Sequence, residues 1–247
     1  MPSECPGQTV PAPRGHDTAE AVDGFGSFGG LVVDDFGQRV GLALEMRARR
    51  LMARLRRHHP ESALHSARVA AIVMGMWRKA PALMGDAETA LLGSLLHDVG
   101  KLFVPRDLLM SQALLTPEQR AVVCAHSALG AKLLLRLGFP EAIAAVARGH
   151  HERWSGGGYP TGLPAQDQPW VVRAVAVADA FDAMTDPGRA YRAPLGGDEA
   201  LREVEACAGT HFEPMAASLL ADSLARPAAD WSWQEPARSD MAVFALH

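Results

Sequence analysis

Cysteine is scarce in this chain and poorly placed for structure. Cys5, Cys124 and Cys207 are odd in number and far apart, and no Cys-x-x-Cys pair occurs. That count disfavours a disulfide framework and a thiolate zinc site, and a reducing cytoplasm is the expected setting. No apolar run approaches the ~18 residues that signal a membrane span. The N-terminus also lacks a basic-then-apolar leader, so no membrane partner is expected. Basic charge is not in excess either, because the formal net charge is −4. Binding a nucleic-acid polymer runs on basic surface, so a polymer is not the expected ligand. A small phosphate-bearing ligand needs only a local basic pocket. Alternating β-branched runs are missing, which removes the strand signal, and no internal repeat is visible. What remains is an all-α reading.

Enough apolar material is present to bury a full core: 48% of the 247 residues are hydrophobic and 21% charged. Residues 1–33, rich in Gly, Pro and polar side chains, read as a flexible tail. Residues 34–58 read as a helix, with Leu44, Leu51 and Leu55 on one face. Arg47, Arg50, Arg54 and Arg57 form a second stripe there, either a solvated face or a docking face for an acidic partner protein. Residues 59–225 carry the remaining helices, and 226–247 read as a second tail. Within them, His59-Pro60 breaks the chain before a helix from Glu61 to Lys79. Asp86 is placed to cap a third helix, and Gly100 to end it. Thr116-Pro117-Glu118-Gln119 is a capping-box start for a helix running to Leu137. Further helices are expected from Pro140 to His150-His151, from Trp170 to Thr185, from Asp198 to Ala208 and from Pro214 to Ala225.

The chemistry gathers at helix ends. His97-Asp98-Val99-Gly100-Lys101 puts an anion at a helix C-terminus, where the helix dipole favours cations. A bound cation would compensate that local violation. His65 lies on an apolar helix face, four residues from Glu61 on the same side. A lone inward histidine is equally a satisfied core residue, and His126 among alanines and leucines reads the same way. His150 and His151 are adjacent imidazoles and costly to bury unless used. Asp179 follows Val175-Ala176-Val177-Ala178, and a carboxylate there must be paired or hold a cation.

Together these are five histidines and three carboxylates with no thiolate, a donor set suited to Fe, Mn, Co or Zn. They are too many for one ion. Two ions sharing a bridging carboxylate are the economical arrangement, and that layout serves attack of water on a phosphate ester. Lys101 is a candidate cation for the phosphate. Arg189 and Arg192 are others, with surface solvation as their alternative reading.

In order along the chain stand Glu61/His65-Ser66-x-Arg68-Val69, His97-Asp98-x-Gly100-Lys101 and His126-x-x-x-Gly130. The run from His150-His151-Glu152-Arg153-Trp154-Ser155 through Gly156-Gly157-Gly158-Tyr159-Pro160 follows, and then Asp179-x-x-Asp182-Ala183-Met184-Thr185. This set resembles the HD-GYP domain, a subgroup of HD-superfamily phosphohydrolases that degrades cyclic di-GMP in bacteria. The resemblance spans about residues 61–225.

The resemblance implies an HD-domain helical bundle, with a core of at least five helices and flanking helices. It implies two or three divalent ions, iron or manganese. His65, His97, Asp98 and Asp179 would be core ligands, with Asp98 bridging. His126, His150 and His151 would hold a second ion, and Glu61 would serve a third. Lys101 would contact the scissile phosphate. Tyr159 and the glycine-rich loop would shape the substrate mouth, and Asp182, Arg189 and Arg192 would bind substrate. The implied reaction is hydrolysis of cyclic di-GMP to linear pGpG, and onward to GMP. A cyclic-dinucleotide-binding module that acts by protein docking, and an HD hydrolase of another nucleotide, are the alternatives.

The chain departs from the family pattern in two places. Ser127 stands where a proline is usual, and Asp186 to Arg192 is one residue longer than usual, with Ala190 replacing a proline. Gly196-Gly197-Asp198-Glu199-Ala200 resembles the GGDEF signature of cyclic di-GMP synthases. That signature belongs on a β-hairpin, and no β domain surrounds it, so Asp198 reads as a helix cap.

Overall fold

Helices begin where the sequence supplies a partner for their free N–H groups. In the computed structural model, which describes residues 42–111, 113–186 and 194–224, α1 spans Leu42–His58 and α2 Pro60–Lys79. Between them His59 Nδ1 accepts from the Ser62 amide at 3.2 Å and caps α2. A short α3, Pro81–Met84, leads to α4, Ala87–Leu96, capped by Asp86 accepting from Thr89 N at 2.7 Å. A 3-10 turn, Val99–Phe103, and a short α5, Arg106–Leu109, follow. The expected capping box at Thr116 and Gln119 is present and opens α6, Pro117–Cys124. Then come α7, His126–Arg136, and α8, Glu141–Gly149. The last three helices are α9, Trp170–Thr185, α10, Gly197–Ala206, and α11, Pro214–Leu224.

Helix α2 is the axis of the bundle, packing against α1, α4, α9 and α11. One apolar cluster joins Val69, Val73 and Met76 of α2 to Val175 and Phe181 of α9 and Leu220 of α11. A second joins Leu51 and Leu55 of α1 to Leu92 and Leu96 of α4, Leu134 of α7 and Ile143 of α8. Burying one such side chain contributes roughly 1.5–3 kcal/mol. These two clusters therefore fix where the ends of α4, α7 and α8 meet. The described residues are all helix, turn and loop apart from one isolated bridge, Ala208 to Phe212.

Several expectations change. The helix foreseen from Thr116 to Leu137 is broken at Ala125. There His126 Nδ1 donates to Val123 O at 2.7 Å and Ser127 Oγ donates to Cys124 O at 3.2 Å. Side chains thus occupy carbonyls at the break. Gly100 does not end α4; it lies buried inside the 3-10 turn. Asp198 is not a cap, since α10 opens at Gly197 and Asp198 stands in its first turn. Gly196-Gly197 thus starts a helix and not a hairpin.

Arg47 leaves the expected stripe to donate to Leu137 O at 2.9 Å, tying α1 to the end of α7, while Arg50, Arg54 and Arg57 stay exposed. Cys124 is a free thiol. No described helix is long and apolar enough to cross a membrane. The expected tails 1–33 and 226–247, with Arg189 and Arg192, lie outside the described residues.

Candidate metal centre and substrate loop

Four imidazoles share one device. His97 Nδ1 donates to Ser94 O at 2.7 Å, His126 Nδ1 to Val123 O at 2.7 Å, and His150 Nδ1 to Ala147 O at 3.0 Å. Each proton goes to a carbonyl three residues back, so each Nε2 keeps its lone pair. His65 uses a carboxylate for the same purpose, with Nδ1 2.7 Å from Asp182 Oδ2. Ligand tautomers set by a partner on the far nitrogen are typical of metal-binding histidines.

These lone pairs converge on Asp98, whose two oxygens face different groups. Oδ2 lies 3.9 Å from His65 Nε2, 3.6 Å from His97 Nε2 and 2.5 Å from Lys101 Nζ. Oδ1 lies 3.3 Å from His126 Nε2 and 3.9 Å from His150 Nε2. Asp179 closes the cluster, with Oδ1 2.8 Å from His65 Nε2 and 3.9 Å from His97 Nε2, and Oδ2 3.8 Å from His151 Nδ1. Among the described residues, three sets have donor atoms close enough to share an ion: Asp98 with His126, His150 and His151; His65 with His97 and Asp98; His97 with His150 and Asp179.

The electrostatics fit a cation. His97 and Asp98 are almost wholly buried, and His97 Nε2 and Asp98 Oδ1 make no hydrogen bond. An unpaired buried polar atom costs about 1–3 kcal/mol, which an ion between these two would remove. Burial pushes the Asp98 carboxyl up, but Lys101, His97 and His126 outweigh it and hold it well below the usual range. Asp179 is likewise held well below, its burial outweighed by His65. Burial drives His150 down to about 3 and lowers His97 and His151. Three imidazoles are thus in the neutral, ligating form. His65 differs: burial opposes its proton, but bonds to Asp179 and Asp182 win and raise it to about 9. A metal there must displace that proton.

The chain matches the HD domain family model over residues 44–215, more than half its length. It belongs to the HD domain family.

This HD domain is 40% identical over 121 residues to a cyclic di-GMP phosphodiesterase of Thermotoga maritima, covering 48% of this chain and 33% of that protein. It is 34% identical over 137 residues to a 3'3'-cGAMP-specific phosphodiesterase of Vibrio cholerae, covering 55% of this chain and 26% of that one. The chain spans about a third or less of these curated relatives. Its fold is shared with an HDG"Y"P protein from Bdellovibrio bacteriovorus, at TM-score 0.53 and 22% identity, covering 65% of this chain and 51% of that one.

Two sequence expectations do not match the HD domain's geometry. Glu61 does not join the cluster: its side chain is 73% exposed, and its carboxylate is 3.9 Å from His59 Nε2. It lies on the outer side of the first turn of α2. Asp182 is not at a substrate surface but 1% exposed, behind His65. Arg68, which the sequence reading left without a role, donates to both its oxygens at 2.7 and 2.8 Å and to Asp186 at 2.6 Å. The signal was available, because Arg68 stands three residues from His65 on one helix face. Asp182→Asn is expected to weaken metal affinity roughly 10–100-fold while leaving the fold intact. Competition against a calibrated chelator reads this directly, and unchanged affinity would remove Asp182 from the ligand support.

Glu152 was also missed as an organiser. One carboxylate oxygen accepts from Thr161 N and Thr161 Oγ1, both at 2.6 Å, and the other from Gly162 N at 3.1 Å. This closes the glycine-rich loop on itself. Gly158 permits the closure, since a Cβ there would sit 2.4 Å from His151 O. Tyr159 N donates to His151 O at 3.2 Å, and the Tyr159 ring lies 4.5 Å from that of His151. The loop therefore stands beside the cluster.

Proposed function

We propose that this HD domain is a metal-dependent phosphodiesterase that hydrolyses a cyclic dinucleotide, cyclic di-GMP foremost, to linear pGpG and onward to GMP. The observation that carries the reading is Asp98, which turns one oxygen to His65 and His97 and the other to His126 and His150. That is the disposition of a carboxylate between two ions. In this reading His65, His97, Asp98 and Asp179 hold one ion, and His126, His150 and His151 with Asp98 hold the other. Iron or manganese suits the nitrogen and oxygen donors, and the cytoplasm is the proposed setting.

Divalent ions so held supply Lewis acidity toward phosphate oxygens and lower the pKa of water. The chain's own residues do the rest. Asp182 and the three backbone carbonyls keep the imidazole lone pairs aimed inward. Lys101, one-fifth exposed and paired to Asp98 Oδ2, is a cation at the mouth for the scissile phosphate. Tyr159, packed on His151, forms one wall of the mouth. The printed activities of the relatives, on cyclic di-GMP and on 3'3'-cGAMP, support the substrate class.

The test joins metal analysis to product identification. Protein reconstituted separately with Fe(II) and Mn(II) is incubated with cyclic di-GMP and with 3'3'-cGAMP, and products are resolved by chromatography. About two ions per chain and conversion of cyclic di-GMP to pGpG are expected. Metal-replete protein that binds either nucleotide without turning it over would leave a docking module as the better reading.

A further inference from the structure

A small cavity next to the substrate loop is lined by Glu152, Trp154, Gln168, Arg173, His211 and Glu213. None of its other residues belongs to the metal cluster. Its centre of charge is Arg173, on the same helix α9 that delivers Asp179. The Arg173 guanidinium carbon lies 4.9 Å from the Trp170 ring centroid and 5.7 Å from that of Trp154. Its Nη1 is 2.7 Å from Glu213 Oε2, with the two side chains only 13% and 10% exposed. A cation between two indoles and one carboxylate is attracted by all three. Arg173 Nε and Gln168 Oε1 are buried without a hydrogen bond, so the guanidinium is not there to satisfy a dense network.

The entry of the loop is fastened at the same place. Trp154 N donates to His211 O at 3.0 Å and Ser155 N to Thr210 O at 2.9 Å, while Ala165 N returns to Arg153 O at 3.0 Å. Beyond this point Glu152 and the Tyr159-to-His151 bond hold the loop together internally. A self-bonded loop fastened at its base moves as a unit when the base moves.

We propose that Arg173, clamped between Trp154 and Trp170 and paired with Glu213, is a positioning residue that sets the orientation of the substrate loop. Through the loop it fixes where Tyr159 stands against His151. Arg173 contacts Glu213, Trp154 and Trp170 and not the residues of the cluster. Its effect on kinetics rests on the phosphodiesterase reading; its effect on the loop does not.

The experiment uses the full metal-loaded chain with Arg173→Met, Arg173→Lys and Glu213→Gln. Amide hydrogen exchange is followed in residues 153–163 and, as an internal reference, in residues 174–184 of α9. Arg173→Met is expected to speed exchange in the loop about tenfold with α9 unchanged, and Arg173→Lys to recover part of the protection. In the same samples KM for cyclic di-GMP should rise about tenfold, with kcat within about twofold and metal content unchanged. Loop exchange equal to wild type overturns the clamp. So does acceleration of loop and α9 together, which marks general destabilisation. Should Arg173→Met not fold, Glu213→Gln carries the same comparison. If even wild-type protein turns nothing over, the phosphodiesterase reading falls alone, and the exchange result still decides the clamp.

Discussion

Asp98→Ala is expected to reduce turnover of cyclic di-GMP by at least about a thousandfold and to lower bound metal, with the helical content of the protein unchanged. Asp98 turns a separate oxygen to each half of the cluster and reaches two imidazoles with each, whereas Asp179 reaches the second half only through His151. His65 and His97 reach one oxygen, and His126 and His150 the other. Without it His126 and His150 lose the carboxylate they face. The fold is expected to survive because the partner left behind is Lys101, whose side chain is already 20% exposed. A lysine stem of that kind carries its charge out to water. Asp98→Asn adds a control, since it keeps volume and removes the charge. Metal analysis, circular dichroism and product chromatography on the same preparations separate the effects. Retained metal stoichiometry and turnover in Asp98→Ala would sink the bridging role.

Gly100→Ala is expected to destabilise the protein by more than about 4 kcal/mol, a far larger effect than a single methyl normally has. A Cβ at Gly100 would stand 1.8 Å from His126 O and 2.6 Å from Gly130 N. Both atoms are backbone, so no side chain can turn aside. The 3-10 turn must leave α7, and Asp98 and Lys101 sit at the start of that turn. A loss of this size lowers Tm by roughly 10 °C in a chain of this length, and the metal centre loosens with it. Gly197→Ala is the control: at the start of α10 a Cβ there meets nothing within 4 Å, and its Tm should stay level or rise slightly. Equal melting temperatures for the two variants would show that the close approach is not needed.

Gly100 shows what a sequence can and cannot convey. The glycine is visible, and its place after an apolar helix makes helix termination the natural reading. Its actual reason is the backbone of α7, 26 residues further on, packed against it. Residue types and local spacing determined a good deal by themselves. The all-α class followed from missing strand signals. The starts of α2, α4 and α6 followed from His59-Pro60, Asp86 and the Thr116 box, because capping is a contact between near neighbours. The histidines and aspartates of the cluster stood out as charges and imidazoles in apolar stretches, where local chemistry alone marks them as costly.

Contacts between distant residues were decided only in three dimensions. Glu61 and Asp182 both looked like site residues. One turns to solvent at the first turn of α2, and the other is sealed behind His65 by Arg68. Which carboxylate is ligand and which is support depends on how α9 lies along α2, and that is set by packing of Val69, Val73, Val175 and Phe181, not by any motif. Glu152 likewise needed the loop to fold back before its partners, Thr161 and Gly162, existed. The sequence by itself determined the residue types of the cluster and the helices that bear them. The tertiary structure alone decided which oxygen faces which imidazole, because that choice belongs to the packing of five chain segments against one another.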